Sequence, residues 1–537
     1  MLEETSATFE LNATRILSVI CTGWSRNLGD RGVFAVDTRS SCAMFSVSRI
    51  VNWSIVAVAI ALVQPNNPLQ TLVAFGALGY VVTQSLIPRL QHSFIKIGLK
   101  GKDMSKRGDP SEIAESMGVI PAVTYMMLMF LLIPFIFFKY LVSFSSLSND
   151  SQMTSNYSDQ YLAVTNNRLF PHNKLSEFLS GLLSLQSITL LGLFDDLFDI
   201  RWRHKFFMPA IACVPLLIVY YVDFSVTSVV VPTFIQHKIF YGPQMISILN
   251  WAIRQGNHIV TYITGLSFST LVTDYSVTTS DPLLLDLGIF YYAYMASISI
   301  FSPNAINILA GINGLEVGQS VVLGVIFLIN DLCYLFLLSV SQAAYDLHLL
   351  SAIFIIPFIG VSLGLLKYNW YPAKVFVGDT YCYFSGMVFA VVGILGHFSK
   401  TLLIFLLPQI INFIYSAPQI FGLVPCPRHR LPRFDSESNL MHPSYALFKP
   451  RTWQAIALQI LEKLHLISIK RENDTIVGFS NMTLINLFLV WFGPMKEDHL
   501  CALLLTTQFA TGLSMLCVRH TLGPWIFGYD NLSWGVK

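Results

Sequence analysis

Two neighbouring carboxylates, Asp195 and Asp196, stand in the string LGLFDDLFDIRWRHK, between an apolar run and the cations Arg201, Arg203 and Lys205. Adjacent acids at the end of an apolar segment repel each other and resist dehydration, so they need a proton, a basic neighbour or a metal cation. Mg²⁺ suits such a place. It takes carboxylate, amide and phosphate oxygens and keeps several waters, which leaves room for a diphosphate. Taken alone, the pair also reads as a hydrated helix cap facing the three cations.

Four further polar strings interrupt the apolar sequence. Glu115 stands in AESMG. The string NAINILAGINGLE carries Asn304, Asn307, Asn313 and Glu316, with amides and glycines of the kind found where a broken helix approaches a ligand; helix packing through Ala310 and Gly311 is the simpler reading. Asp379 follows Gly378 in VFVGDTYCYF, at the mouth of a very apolar run, where it is either a helix cap or a group aimed at a metal-bound phosphate. PCPRHR brings Arg428, His429 and Arg430 between Pro427 and Pro432, a stiffened loop whose guanidiniums could grip phosphate in two-point contacts or simply touch anionic lipid. GLKGKDMSKRG lacks the spacing of a phosphate-binding P-loop. The eight cysteines form no zinc pattern, and His397, at the end of an apolar run, reads as structural.

The elements that must hold these groups are membrane helices. Of 537 residues, 54% are hydrophobic and only 12% charged, more apolar than a soluble fold can bury. Apolar windows long enough to cross a bilayer fall at 68–88, 118–142, 177–194, 206–222, 286–303, 318–336, 348–366, 381–397, 401–423 and 498–518. The run Ile55–Val63 is short for a span, and no cleaved signal peptide is evident in residues 1–50. Residues 89–117, 195–205, 367–374 and 425–475 hold 19 Lys and Arg, whereas 143–176, 223–285, 337–347 and 398–400 hold 5, which puts the first set in the cytosol. All the polar strings then share the cytosolic face. The sequons at Asn149 and Asn156 fall on the lumenal side, and those at Asn473 and Asn481 on the cytosolic side, where they stay unmodified. With 33 basic residues against 31 acidic ones and no long basic run, nothing points to nucleic acid.

Together these strings, with the long segment NWYPAKVFVGDTYCYFSGMVFAVVGILGHFSK, resemble the polyprenyl-phosphate N-acetylhexosamine-1-phosphate transferase family over about Pro68 to His520, and its eukaryotic branch most closely. The resemblance implies transfer of GlcNAc-1-phosphate from UDP-GlcNAc to dolichyl phosphate at the endoplasmic reticulum membrane. It implies that Asn307 and Asp379 hold Mg²⁺; that Lys102, Asp103, Met104, Glu115 and Asn313 contact the nucleotide part of the donor; and that Arg428, His429 and Arg430 hold the sugar phosphate. Lys205 and the segment Ile300, Phe301, Ser302, Pro303, Asn304, Ala305, Ile306, Asn307 and Ile308 would receive dolichyl phosphate. Asp195 and Asp196 would complete the reacting centre with Lys205, their division of labour open, and Asp199 stands where other members vary.

The expected fold is therefore an all-α membrane protein of about ten transmembrane helices with a cytosolic active-site face. Residues 68–520 form the transferase domain between an extension, 1–67, and a tail, 521–537. Enlarged lumenal loops are expected at 143–176 and 223–285, and a small cytosolic sugar-binding subdomain at 424–497, before the last helix. The oligomeric state is open, a homodimer being one option. The alternatives are a related transferase with another sugar donor and, from a different class, a multi-pass transporter, whose intramembrane acids would line an ion path.

Overall fold

The computed structural model describes residues 38–64, 67–103, 112–138, 171–198, 200–232, 242–266, 284–337, 340–427, 430–472 and 475–527. The chain divides into two units, Met1–Ser54 and Ile55–Lys537. Of the first, only 38–54, the start of α1 (Thr38–Leu62), is described. The short apolar run at Ile55 is thus helical.

The second unit is built from long apolar helices: α2 (Pro68–Ile97), α3 (Val119–Ile136), α4 (His172–Phe198), the short α5 (Trp202–Lys205), α6 (Met208–Ala212) and α7 (Val214–Asp223), α8 (Gly242–Thr264), α9 (Ile289–Ile308), α10 (Leu315–Leu332), α11 (Gln342–Asn369), α12 (Gly378–Leu395), α13 (Ser399–Phe405), α14 (Leu407–Ile420), α15 (Thr452–Lys463), α16 (Leu484–Phe492) and α17 (Glu497–Phe527). Among the described residues, eight helical segments are long and apolar enough to cross a membrane, and α13 with α14, bent by 68°, is either a broken ninth span or a re-entrant pair. The chain is a multi-pass membrane protein. The expected span at 286–303 is α9, whose 20 residues include Tyr291, Tyr292, Tyr294, Asn304 and Asn307 and so fall outside the most apolar set.

Local signals place the ends. α2 starts with Pro68 behind Asn67, whose side chain accepts the Gln70 N–H, and stops at Gly98, φ 100°. α11 carries its own cap, Ser341 accepting the Ala344 N–H at 3.3 Å. α12 has no such residue of its own. Gly386 lets α12 touch α9: a Cβ there would lie 2.3 Å from Pro303 Cα. The buried core runs through α3, α4, α11 and α12, with Phe354, Phe358, Phe384 and Phe389 at its centre.

The structure is not all-α. Short antiparallel pairs join β1 (Lys100–Lys102) to β2 (Glu112–Ala114), β3 (Ser228–Val230) to β4 (Leu284–Asp286), and β5 (Arg433–Asp435) to β6 (Leu440–His442). A three-stranded sheet orders β7 (Tyr445–Leu447), β9 (Thr475–Ser480) and β8 (Ile469–Glu472). These last two sheets, with α15, occupy the segment expected to be a small subdomain. Strands of three to six residues are too short to leave an alternation that stands out from loop sequence. The segment 223–285, expected as a loop, contains α8.

Candidate active site

Asp196, near the end of α4, supplies the cap that α12 lacks. Its carboxylate accepts the Asp379 N–H at 2.7 Å, the Thr380 N–H at 3.2 Å and the Thr380 hydroxyl at 2.5 Å. These are the N–H groups that a helix start leaves unpaired, and the helix dipole favours a negative charge there. Two glycines make the approach possible. A Cβ on Gly192 would meet Thr380 Cα at 2.7 Å, and one on Gly378, φ 72°, would meet the Asp196 carboxylate at 2.6 Å. The segment before α12 is tied to residues 114–118 by Phe376 N–H to Ala114 O, Met117 N–H to Phe376 O and Gly118 N–H to Val377 O.

Asp195 points the other way, into a charged centre. The Lys205 ammonium donates to Asp195 Oδ2 at 2.9 Å and to Asp379 Oδ2 at 2.8 Å. The second Asp195 oxygen accepts the Ile200 N–H at 3.0 Å, and its side chain is only 2% exposed. Asp379, 32% exposed, takes the Asn307 amide on its other oxygen at 2.9 Å. One ammonium therefore serves two carboxylates. The remaining negative charge attracts a further cation. Among the described residues no three His, Cys, Asp or Glu side chains form a metal cage. A Mg²⁺ ion does not need one, because it is commonly held by one or two carboxylates together with substrate phosphates and waters. Asp379 has the exposure for it, and turning the Asn307 amide over would set a second oxygen beside it. The donor set fits.

The end of α9 is held by side chains from elsewhere. Gln319, fully buried on α10, donates to the carbonyls of Ile306 at 3.1 Å and Leu309 at 2.7 Å, and its own oxygen accepts from Gln409 at 3.0 Å. Glu316 accepts the Gly311 N–H at 2.8 Å. Gly311, φ 113°, lies against Leu431, where a Cβ would come to 2.0 Å from the side chain, so the Arg430–Leu431 loop reaches this turn. Asn313 donates its amide to Asp103 at 2.8 Å and its backbone N–H to Glu497 at 2.7 Å. Gly101 sits beside Glu115, with Glu115 Oε2 3.5 Å from where its Cβ would be. Lys102 continues β1, in register with Glu112.

Arg430 is positioned through its carbonyl, which accepts the Asn486 amide at 2.9 Å, while one guanidinium nitrogen is buried without a hydrogen-bond partner. Burial pulls this guanidinium below its usual pKa. Met104, Asp199, Arg428 and His429 lie outside the described residues.

A groove of about 310 Å³ opens beside the charged centre, lined by Phe206, Phe207, Ser297, Ile300, Phe301, Asn304, Ala305, Ile308 and Phe413. Five residues of the expected lipid segment line it. The other four do not: Ser302, Pro303 and Ile306 are buried, Pro303 against Gly386, and Asn307 turns to Asp379. A helix cannot offer nine consecutive residues to one groove.

Residues 178–397 match glycosyl transferase family 4. Over 478 residues, 88% of this chain and 96% of the relative, the sequence is 51% identical to a Saccharomyces cerevisiae protein named UDP-N-acetylglucosamine–dolichyl-phosphate N-acetylglucosaminephosphotransferase. Proteins of the same name from Schizosaccharomyces pombe and Dictyostelium discoideum are 43% identical over 482 residues and 36% over 465, covering 97% and 88% of their own lengths. The chain belongs to this phosphotransferase family. The family 4 match takes in Asp195, Asp196, Lys205, Asn307, Asn313 and Asp379, and leaves Asp103, Glu115 and Arg430 outside it. The structure brings Asp195, Asp379, Asn307 and Lys205 together within hydrogen-bonding distance, and Asp103 to Asn313. It also enlists Thr380, Gln319 and Glu497, which a reading of the sequence passes over. Gln319 left one trace, an amide in an apolar helix. His397, as expected, is packed between Tyr220 and Phe224.

Proposed function

We propose that this chain transfers N-acetylglucosamine-1-phosphate from UDP-N-acetylglucosamine to dolichyl phosphate, giving N-acetylglucosaminyl-diphosphodolichol and UMP. The proposal places the step on the cytosolic face of the endoplasmic reticulum membrane. The names of the three relatives support it, and so does the excess of Lys and Arg on the loops that carry the site. The observation that carries it is the Lys205 ammonium shared by Asp195 and Asp379, with Phe206, the next residue in the chain, lining an apolar groove. A lipid phosphate needs both halves of that arrangement.

In the reaction a phosphate oxygen of the acceptor attacks the β-phosphorus of the donor. The bond from that phosphorus to the oxygen bridging the two phosphates breaks, and its electron pair leaves on UMP. One diphosphate linkage is exchanged for another, so the step is readily reversed. The task is to bring anions together and align them, which calls for neutralisation and positioning. Phe206, Phe207 and Ile300 would hold the first isoprene units, with the rest of the chain in the bilayer. Lys205 would draw the lipid phosphate toward the donor. Both Asp195 oxygens are engaged, so Asp195 holds Lys205 in place and the acceptor attacks as the oxyanion it already is. Asp196 works through helix α12, setting the direction of Asp379. Asp379 and Asn307 would hold Mg²⁺, which when bound neutralises the diphosphate. Asp103, Asn313, Lys102, Met104 and Glu115 would receive the uridine nucleotide, and Arg428, His429 and Arg430 the sugar phosphate.

The test is UMP release by the purified protein in lipid nanodiscs. Release should require both UDP-N-acetylglucosamine and dolichyl phosphate, and should stop when EDTA removes the divalent ion. A transporter of this architecture would release no UMP, and a related transferase would prefer another sugar nucleotide.

A further inference from the structure

Helix α8 is amphipathic, and its apolar stripe is exposed. Its single formally charged residue is Arg254, and an apolar stripe of Met245, Leu249, Ala252, Ile259 and Ile263 recurs at helical spacing. In a water-soluble protein that stripe would pack inward. Here Ile259 is 61% and Ile263 74% exposed, beside an exposed polar strip of Gln244, Ser247, Arg254, Gln255 and His258, and two asparagines face the protein. Asn257, 5% exposed, accepts the Ile289 N–H at 3.1 Å, and Asn250, seven residues earlier on the same side, accepts the Asp286 N–H at 3.2 Å. Gly288 seats the contact, because a Cβ there would run into the Asn257 amide at 1.9 Å.

These anchors fix the level of the helix. Ile289 begins α9 and Asn307 lies at its other end, so α8 is pinned about 30 Å from the charged centre, one bilayer core away. The neighbouring span ends also expose apolar residues: Phe290 in the first turn of α9 and Val222 in the last turn of α7, 56% and 70% exposed. Trp251 and Tyr262, 64% and 92% exposed, are the aromatic types that gather where hydrocarbon meets headgroups.

We propose that α8 lies in the membrane interface on the face opposite the site, its apolar stripe sunk among lipid acyl chains and its asparagines clamped on the start of α9. The occupant of the face is phospholipid rather than a second copy of the chain. A helix whose exposed apolar stripe is flanked by an exposed polar strip with one cation meets the physical requirement for lying at the boundary of headgroup and acyl chain, and its two asparagines are bonded to protein.

The experiment uses the full-length protein in phosphatidylcholine nanodiscs doped with a phosphatidylcholine that carries a diazirine near the carbonyl end of one acyl chain. After illumination, mass spectrometry should find lipid adducts on the peptide holding Ile259 and Ile263, as on the exposed span residues Met127 and Leu131. Ile259→Asp with Ile263→Asp should lose the α8 adducts and keep those on Met127 and Leu131. Wild-type protein with no α8 adducts and rapid deuterium exchange there would place the helix in water and overturn the proposal. A disulfide joining two copies in an Ile259→Cys variant and missing in the wild type, together with no lipid adducts on wild-type α8, would overturn it in favour of a protomer interface.

Discussion

At the scale of single residues, the two adjacent carboxylates have different work. Asp196 spends its lone pairs on the first turn of α12, and Asp195 on Lys205 and Ile200. Asp196→Ala should therefore behave as the loss of a cap, costing about 1–2 kcal/mol of stability, and should also let Asp379 swing. The expected readout is a lower melting temperature together with a raised requirement for Mg²⁺. Asp195→Asn should leave melting nearly unchanged and reduce turnover by roughly tenfold or more, equivalent to about 1.4 kcal/mol of transition-state binding. Reversal of that pattern, with Asp195→Asn the less stable variant, would interchange the roles. Asp379→Asn and Asn307→Ala should both lose divalent-dependent UMP release while the protein remains folded, since each removes an oxygen ligand from an accessible position. Full activity in either variant would remove the metal assignment. Asp195, Asp379 and Asn307 were legible in the sequence because polar groups at the ends of apolar spans need a reason to be there. Which of the two acids served the helix was not, since that depends on how α4 meets α12.

At the scale of elements, the site depends on a broken helix end held from outside. α9 stops at Ile308, and the carbonyls of Ile306 and Leu309 are met by Gln319. Gln319→Leu keeps the volume and leaves two buried carbonyls unpaired, a cost of about 1–3 kcal/mol for each. The variant should melt earlier and should need more Mg²⁺ for half-maximal turnover, because Asn307 belongs to the released turn. Gln319→Glu still has oxygens but no amide N–H, so it should fail to rescue. An unchanged Mg²⁺ requirement in a folded Gln319→Leu protein would mean that the turn is set by Glu316 and Gly311 alone. Eight of the ten expected spans were readable from apolar length. The partners of a turn were not, because Gln319, Gln409 and Asn307 are joined only once α9, α10 and α14 pack. Helix α8 was hidden for a related reason: residues 223–285 have the mixed composition of a loop, and only its position beside α9 gives the apolar stripe a meaning.

At the scale of the whole molecule, the arrangement has a direction that can be measured. In the orientation proposed above from the Lys and Arg excess, the loops bearing the site face the cytosol and 143–176, with Asn149 and Asn156, faces the lumen. Both of those sequons lie outside the described residues, so the argument for them is one of side alone. Asn481 is excluded twice. It sits on the site-bearing side, and it is 1% exposed, its amide donating to the Ser444 hydroxyl at 2.9 Å while its oxygen accepts from Gln419 at 2.9 Å. An oligosaccharide could reach it only in an unfolded chain. Expressed in a cell with intact glycosylation, the protein should carry glycans removable by endoglycosidase, and the mobility shift should shrink in the Asn149→Gln, Asn156→Gln double variant. The Asn473→Gln, Asn481→Gln variant should shift like wild type. A glycan found on Asn473 would put the 424–497 segment in the lumen. The carboxylates, the Arg430 loop and the groove would go with it, and a donor made in the cytosol would then need a carrier before the reaction could begin.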